Sequence, residues 1–287
     1  MANLKEIRAR ISSVGSTMQI TSAMKMVSAA KLKRAQDAIV KMRPYANKLT
    51  ELLESLSSSL DGSESGVYAV DREVKNALLV TITSNRGLCG GFNAYVLKQA
   101  RNLIENRYEN SNVSIMSIGK KSSEYFTKNN YNVISTHDDL FVNLTFDNVS
   151  EIAEMIMEKF VLKEYDEVVL VYNQFKNAAT QIIISENFLP IQPTDNKNGN
   201  SGDYIFEPTK EEIVKELIPK SLKTQLFKAV LDSHASEHGA RMTAMHKATD
   251  NAEELKKDLT LTYNKARQAA ITGEILEIVG GAEALNG

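Results

Sequence analysis

Residues 245–276 read MHKATDNAEELKKDLTLTYNKARQAAITGEIL and form the centre of a longer stretch from Ser221 to about Leu285. This stretch contains no proline, and it consists largely of Ala, Leu, Met, Glu, Lys, Arg and Gln, which favour helix most strongly. A single helix over this range would be roughly 95 Å long at 1.5 Å per residue. The sequence therefore predicts a helix much longer than the surface helix of an ordinary globular domain.

Apolar or small residues recur along this helix at alternating spacings of three and four. The resulting period, close to 3.5, predicts a left-handed coiled coil. Many of these positions carry alanine or a smaller residue, so a partner helix can approach closely. A buried helix of a large helical domain is the alternative, but such a domain needs several other long helices. The predicted seam consists of Met245, Ala248, Ala252, Leu255, Leu259, Thr262, Ala266, Ala269, Gly273 and Leu276.

A second long helix is predicted at the other end of the chain, from residue 3 to about residue 57. Pro44 lies inside it and removes one backbone hydrogen bond, which predicts a kink. Two long helices at opposite ends of a chain can pair in antiparallel orientation. The same three-four spacing is kept by Leu4, Ile7, Ile11, Val14, Met18, Ile39, Met42, Ala46, Leu49, Leu53 and Leu56.

The segment Ile20–Ala30 departs from this two-sided pattern, because its apolar residues spread around most of the helix circumference. A helix that is apolar all round is buried on all sides. One coiled-coil partner covers only one side, so other subunits are expected to cover the rest. The apolar positions are Ile20, Ala23, Met24, Met26, Val27, Ala29 and Ala30.

Charge in the N-terminal helix is strongly basic up to residue 50, where only Glu6 and Asp37 are acidic. A solvated basic face or docking on an acidic protein surface explains such a run. Nucleic-acid binding is disfavoured, because the whole chain has a net charge of −2 and no aromatic residues separate the basic ones. The basic residues are Lys5, Arg8, Arg10, Lys25, Lys31, Lys33, Arg34, Lys41, Arg43 and Lys48.

The overall composition indicates a cytoplasmic protein. The 287 residues suffice for one or two domains, and no run approaches the 18 apolar residues of a membrane span. The N-terminus lacks the apolar segment of a signal peptide. A single cysteine, Cys89, excludes an internal disulfide and fits a reducing compartment.

Short apolar runs alternate with helical patterns between the two long helices, which predicts an α/β layered domain. Ser57–Gly66 and Asp195–Asp203 are expected to be flexible connections. Pro208 is expected to precede a brief helix, and Pro219 to start the long terminal helix. Strands are predicted at Ala77–Thr83, Val113–Ile118, Asn132–Ser135, Val168–Gln174, Thr180–Glu186 and Tyr204–Phe206, the fourth and fifth as a hairpin around Lys176-Asn177. Helices are predicted at Phe92–Tyr108, Ser122–Asn129 and Val149–Leu162.

Three motifs suggest enzymatic chemistry. Arg86-Gly87-Leu88-Cys89-Gly90-Gly91 follows a strand and opens a helix, where phosphate-binding loops lie, but its glycine spacing fits neither nucleotide fingerprint and favours a structural turn. Gly119-Lys120-Lys121-Ser122 fails as a Walker loop, because Lys121 stands where Ser or Thr is required. His234-Ala-Ser-Glu237-His238 fits a zinc-peptidase arrangement but lacks a third ligand and a cleft. Cys89 has no identified base, so no catalytic, cofactor or metal site is predicted.

Several segments resemble the gamma subunit of the rotary proton-translocating ATP synthase, in the right order and at both termini. They are Ile20–Val27, Arg86–Gly91, Ala240–Met245, Tyr263–Gln268, Ile271–Glu277 and Gly281-Ala282. The sequence departs from that family at Asn85, where Asp is usual before the glycine loop. No chloroplast-type regulatory insertion or mitochondrial presequence is visible, so the resemblance favours a bacterial protein.

The resemblance implies the fold class: a long antiparallel coiled coil of both termini plus a central Rossmann-like α/β domain. The expected ranges are 1–60, 70–208 and 209–287. It implies a single-copy rotor shaft inside a ring of alpha and beta subunits, resting on epsilon and the membrane c-ring at the cytoplasmic face of the cell membrane. Nucleotide chemistry would belong to the beta subunits. By resemblance, the surrounding beta subunits would be contacted by Met24, Arg241, Gln268, Thr272 and Glu274.

Helix lengths predict an unpaired end. Counted outward from the central domain, the N-terminal helix has about 54 residues and the C-terminal helix about 64. The last turns, with Ile275, Leu276, Ile278 and Val279, would therefore lack a helical partner, and Ile275 and Ile278 are added to the predicted ring contacts. Two other functions stay open at this point: an α/β nucleotide- or phosphate-binding enzyme with a helical arm, and a general coiled-coil scaffold.

Overall fold

The computed structural model describes residues 4–57, 68, 70, 72–191 and 210–286. The helices are α1 (Leu4–Ser57), α2 (Phe92–Asn102), α3 (Lys120–Lys128), α4 (Phe146–Val161) and α5 (Lys210–Asn286). The strands are β1 (Asn76–Ile82), β2 (Asn112–Ile118), β3 (Asn132–Thr136), β4 (Glu167–Phe175) and β5 (Gln181–Leu189). A π-helical turn, Leu103–Arg107, follows α2, and a 3-10 turn, Asp138–Phe141, follows β3.

The chain divides into two compact units. The end unit comprises Met1–Ser28 and Met242–Gly287, and the α/β unit comprises Ala29–Arg241. Both long helices contribute residues to each unit. The three domain ranges expected from the sequence follow a different division and stay a prediction.

The predicted helices and strands of the middle of the chain are confirmed, with ends that differ by a few residues. The predicted strand at Tyr204–Phe206, the loop at Asp195–Asp203 and most of the connector after Ser57 lie outside the described residues. The predicted helix Phe92–Tyr108 is α-helical only to Asn102 and then widens into the π-turn. The 3-10 turn Asp138–Phe141 was not predicted.

One prediction about the long C-terminal helix is wrong. The sequence suggested a brief helix followed by a new helix starting at Pro219, but α5 runs without a break from Lys210 through Pro219. Proline removes one hydrogen bond from a helix interior and costs about 3 kcal/mol. Ile218, Leu222 and Leu226 around the proline are buried in the core of the α/β unit. Their burial offsets the cost and keeps the helix continuous.

The sheet has the strand order β3-β2-β1-β4-β5. β1 to β4 pair in parallel, and β5 pairs antiparallel with β4, which confirms the predicted hairpin. Alternate residues of β1 enter opposite cores. Ala77 and Leu79 pack with α2 and α3, whereas Leu78 and Val80 pack with α4 and α5. The α/β unit is therefore a three-layer, Rossmann-like arrangement with helices on both sheet faces.

The two long helices pair antiparallel within the end unit. The hydroxyl oxygens of Thr21 and Thr249 lie 2.8 Å apart, and the side-chain nitrogens of Lys25 and His246 lie 3.4 Å apart. A Cβ added to Gly15 would lie 3.9 Å from Nζ of Lys256. Partner numbers fall along α5 as they rise along α1, so the predicted antiparallel coiled coil is confirmed.

Up to residue 267, the seam of α5 differs from the predicted one at two positions, Leu255 and Thr262. Leu255 is 49% exposed, whereas Lys256 is half-buried against Gly15. Thr249 takes part in the seam through its bond to Thr21, and Tyr263 is half-buried where Thr262 is exposed. The true heptad thus lies one residue further along at these positions. Glycine leaves room for the aliphatic stem of lysine, so a polar residue occupies a position where an apolar one was expected.

The turn after β1 is joined to its neighbours by Asn85. Its side-chain amide donates a hydrogen bond to the backbone oxygen of Asp138 (2.6 Å), and its side-chain oxygen accepts one from the backbone nitrogen of Lys120 (2.9 Å). An aspartate could accept the second bond but could not donate the first. Asn85 therefore links β1 to the 3-10 turn and to the start of α3 in a way that requires an amide.

None of the helices in the described parts of the chain is long and apolar enough to cross a membrane.

The Thr21–Thr249 hydroxyl pair is expected to stabilise the end unit. Replacing either threonine with valine should lower the free energy of unfolding by about 1 kcal/mol, because one hydroxyl loses its partner. The double replacement should cost less than the sum of the two. Urea unfolding followed by circular dichroism measures this, with Thr260→Val as control, since Thr260 is exposed and its hydroxyl bonds to the Lys256 backbone oxygen of its own helix. Strict additivity of the two replacements would contradict the coupling.

The Asn85→Asp variant should destabilise the α/β unit by about 1–2 kcal/mol, because the half-buried Asp138 carbonyl loses its donor and faces a carboxylate. Urea unfolding monitored through tyrosine fluorescence measures the change. Asn129→Asp is the matched control, since the Asn129 amide donates to the Tyr125 backbone oxygen at an exposed site. An equal effect of both substitutions would show that the Asn85 link contributes nothing specific.

Candidate functional site

The carboxyl edge of the sheet contains the place where α/β folds of this kind bind ligands. Connections from β1 and β4 leave this edge in opposite directions, and ligands of such folds lie in the crevice between two such strands. In this chain the α5 segment 229–241 occupies that edge. Gly239 of this segment lies against the Phe175 ring at the end of β4, and His234 stacks on Phe141 in the turn that follows β3. The crevice is therefore filled by the chain itself.

Gly239 allows α5 to lie against the hairpin between β4 and β5. A Cβ at this position would be 3.2 Å from the backbone oxygen of Ala178 and 3.5 Å from the Phe175 ring. The first distance is tighter than an ordinary van der Waals contact, and the neighbour is backbone that cannot easily move. Glycine inside this long helix thus serves a close approach, which compensates its low helix propensity.

The glycine loop 84–91 is a structural turn. Leu88 and Gly90 have positive φ angles of 61° and 59°. The hydroxyl of Ser84 donates to the backbone oxygen of Arg86 at 2.7 Å, and Cys89 is buried beside the Asn93 amide. Phosphate-binding loops point backbone N–H groups at their ligand. This loop instead points carbonyl oxygens at α5.

The guanidinium of Arg241 on α5 donates hydrogen bonds to these carbonyl oxygens. Nη2 donates to the backbone oxygen of Arg86 (2.9 Å), and both Nε and Nη2 lie 3.4 Å from the backbone oxygen of Gly87. Nη1 donates to Glu237, one helical turn earlier. Burial raises the pKa of the Glu237 carboxyl, and the charge of Arg241 opposes this rise. A buried ion pair is tolerated where further hydrogen bonds satisfy it, as the loop carbonyls do here.

His234 and His238 lie on one face of α5, as their spacing predicts, with their Nε2 atoms 3.1 Å apart. Burial lowers the pKa of His234 to about 4, and nearby Lys31 and Arg241 lower it further. Burial lowers the pKa of His238 to about 3, assisted by His234, Arg241 and Lys31. Both rings are therefore neutral at pH 7, and Phe141 stacks on the first at 5.7 Å.

The HxxEH motif is not assembled as a metal site. Its glutamate is paired with Arg241. Across residues 4–57, 72–191 and 210–286, no group of three His, Cys, Asp or Glu side chains is placed to hold a metal ion. The motif therefore serves packing at the carboxyl edge of the sheet.

The second candidate site is the far part of α5 in the end unit. Extending the register of Gly15 and Lys256 places Leu4, the first described residue of α1, opposite about residue 267. Beyond that point α5 has no described α1 residue beside it. Its apolar side chains are correspondingly exposed: Ile271 49%, Ile275 54%, Leu276 66%, Ile278 71% and Val279 50%.

A second apolar surface of the end unit lies on α1. Ile20, Met26 and Val27 are 60%, 65% and 58% exposed, although Thr21 between them is buried in the seam. The sequence predicts burial of this segment on all sides, and the described chain covers it on one side only. Apolar patches of this extent in a folded chain mark surfaces that another protein covers.

The predicted contact residues fall into two groups. Gln268, Thr272, Glu274, Ile275 and Ile278 are exposed and Met24 is half-buried, all in the end unit. Arg241 instead belongs to the α/β unit and is 7% exposed. The link from Arg241 to the glycine loop was missed by sequence reasoning. The only sequence signal for it was the Glu237–Arg241 spacing of four on one helix face.

Comparison with known proteins gives a consistent result. A family model described as ATP synthase matches residues 3–285. The ATP synthase gamma chains of Flavobacterium johnsoniae and Christiangramia forsetii are 64% and 60% identical, each over 100% of both chains.

Solved structures agree with this match. A chain of the Tetrahymena thermophila mitochondrial ATP synthase central stalk and c-ring aligns with a TM-score of 0.59 and 26% identity, over 80% of this chain and 99% of that one. A chain of the Euglena gracilis mitochondrial ATP synthase rotor shares the fold, with a TM-score of 0.68 and 23% identity over 93% and 98% of the two chains. The sequence match over the full length decides the assignment: the chain belongs to the family of ATP synthase gamma chains.

Proposed function

We propose that this chain is the central rotor shaft of an ATP synthase. It couples rotation of a membrane c-ring to conformational change, and so to ATP synthesis or hydrolysis, in surrounding beta subunits. The observation that carries the proposal is the exposed, apolar end of α5 beyond residue 267, where no described residue of α1 lies beside it, together with membership of the gamma-chain family. A rotor needs one end that is enclosed by the surrounding subunits, and the exposed apolar side chains of such an end favour burial over contact with water.

Energetics favour a protein socket around this end. Covering an apolar side chain of this size stabilises by about 1.5–3 kcal/mol when burial is complete. Ile275, Leu276 and Ile278 are each more than half exposed, so a ring that encloses them gains several such contributions. The interspersed polar residues Gln268, Thr272 and Glu274 can meet polar groups of the same ring. An apolar socket with a polar rim is the usual composition of a specific interface.

The partners follow from this role. One copy of the chain would lie in a ring of alpha and beta subunits, and its α/β unit would rest on epsilon and the c-ring, at the cytoplasmic face of a bacterial membrane. Met24, Gln268, Thr272, Glu274, Ile275 and Ile278 are the proposed ring contacts. Arg241 stays a predicted ring contact without support from its position, because its guanidinium is buried on Glu237 and the glycine loop.

We infer that the chain has no active site of its own and that nucleotide chemistry takes place on the beta subunits. The support is physical. α5 fills the crevice at the carboxyl edge of the sheet, and the glycine loop offers carbonyl oxygens there, which repel phosphate. These features disfavour the alternative of a nucleotide-binding enzyme. The polar residues of the α5 segment are then structural.

The Ile275→Asp variant is expected to weaken capture of the chain by the alpha–beta ring at least about tenfold, because a carboxylate replaces a covered apolar group. Co-expression with tagged beta subunits, followed by affinity capture and native mass measurement, determines the yield and the copy number. Val142→Asp is the matched control, since Val142 is 83% exposed on the α/β unit. Equal capture of both variants would rule out an apolar socket at this end.

His234 and His238, half-buried and buried respectively, are expected to stay neutral well below pH 6. In the folded chain their pKa values are about 4 and about 3, compared with 6.5 for the unfolded chain. Their contribution to stability is fully present above pH 6.5 and is lost as the pH falls toward 4 and 3, because the unfolded chain then binds more protons. NMR titration of the ring protons measures the values directly.

The stability curve supplies the control for this prediction. Asp232 acts in the opposite sense, since burial raises its pKa to about 6 while Arg43 and Lys228 oppose the rise. The His234→Gln/His238→Gln variant should therefore lose the acid-side destabilisation that the histidines cause and keep the acid-side stabilisation that Asp232 contributes. Ring protons that titrate near pH 6.5 would contradict the buried, structural assignment of the pair.

A further inference from the structure

The guanidinium of Arg241 is the point where α5 and the glycine loop are joined by directional bonds. One planar group meets three acceptors from two elements: the Glu237 carboxylate on its own helix, and the backbone oxygens of Arg86 and Gly87 on the loop. The side chain is 9% exposed and that of Glu237 is 10% exposed. Water therefore competes little with these bonds, and they hold a fixed geometry.

The loop that Arg241 grips is itself fixed on three other sides. The backbone oxygen of Ser84 accepts a hydrogen bond from Lys121 at the start of α3 (3.1 Å), and its backbone nitrogen donates to the Asn93 side chain on α2 (3.0 Å). Asn85 bonds to the turn that follows β3. A displacement of the loop is therefore a displacement of the sheet edge with its helices.

The position of this grip along α5 is also specific. Arg241 is the last residue of the α/β unit, and Met242 is the first residue of the end unit in this helix. The hydrogen bonds of Arg241 therefore fix α5 to the glycine loop at the last residue that this helix contributes to the α/β unit. Leu88, held at a φ of 61° in the same loop, is a strained residue of the kind that surrounding structure must enforce.

We propose that Arg241 is a positioning residue that fixes α5 to the glycine loop. Torque about the helix axis is then transmitted between α5 and the rest of the α/β unit without rotation of one relative to the other. The inference rests on the proposed rotor function and names Arg241 as the residue that prevents this rotation. Apolar packing of α5 on the sheet resists separation but allows small rotations about the helix axis. A planar guanidinium bonded on two sides resists that rotation, because its hydrogen bonds weaken steeply with angle.

Lysine cannot replace arginine in this role. Its single ammonium group can neutralise Glu237, but it lacks the rigid fork that reaches two loop carbonyls together. Arg241→Lys therefore separates a structural role, counter-charge for Glu237, from the grip on the loop. The Glu237→Gln/Arg241→Gln variant removes both buried charges, so that no unpaired charge destabilises the fold, and it also removes the grip.

The test uses the ATP synthase assembled with the full chain in inverted membrane vesicles. For both variants we expect exchange of the bonded amides at the two ends of the loop, those of Ser84 and Phe92, to be at least about tenfold faster, because charge-assisted bonds that hold the loop are lost. Proton uptake per ATP hydrolysed should fall at least about twofold, because α5 can then rotate slightly relative to the α/β unit without moving it.

The matched control is the pair Arg101 on α2 and Glu105 in the π-turn that follows, which has the same spacing of four but is exposed, with 3.5 Å between the charged atoms. Arg101→Lys and Glu105→Gln/Arg101→Gln should change neither loop exchange nor proton uptake per ATP. A purely structural role of Arg241 would alter loop exchange without altering this ratio.

Two results would overturn the inference: unchanged exchange of the loop amides in both Arg241 variants, or faster exchange with an unchanged ratio of proton uptake to hydrolysis. Either result leaves the proposed function intact if the wild-type complex takes up protons. If the wild-type chain assembles but supports no ATP-driven proton uptake, the proposed function fails, and this inference fails with it.

Discussion

The burial of the α5 segment 229–241 across the carboxyl edge of the sheet is the constraint on which the α/β unit depends. This segment carries polar groups into the interior, and buried polar groups are costly unless they are bonded. Glu237 pairs with Arg241, which also donates to two carbonyl oxygens of the glycine loop. The crevice that a related fold would leave open for a ligand is thereby used to hold a helix.

The end unit follows a different principle. Its seam contains Thr21, Thr249 and Lys256 as well as small residues, so the two helices pair without a large apolar core. Apolar residues lie instead on outward faces, at Ile20 and at Ile275. The apolar surface of a unit built in this way is buried only when other subunits cover it. An α/β unit that holds its helix firmly, and an end unit that offers apolar surface outward, suit a part that transmits force between two partners.

Much of the fold was predictable because periodicity reports burial directly. Short apolar runs gave the strands, and runs with a period near 3.5 gave both long helices. The exact seam was not predictable, because Leu255 is apolar and Lys256 fits the seam only where Gly15 of the other helix leaves room for it. Continuity through Pro219 depends on core contacts distant in sequence. The Arg241 link joins residues 155 positions apart, which no local pattern reveals. The candidate ring contacts came from resemblance and exposure.

The central claim is that this chain turns as a shaft, and observation of rotation tests it most directly. The alpha–beta ring is fixed to a surface, and a bead is attached through a cysteine introduced at Val142, which is exposed on the α/β unit. We expect the bead to rotate in one direction when ATP is supplied and to stop when ATP is removed. A bead that stays still on complexes that contain the chain and hydrolyse ATP would contradict the account.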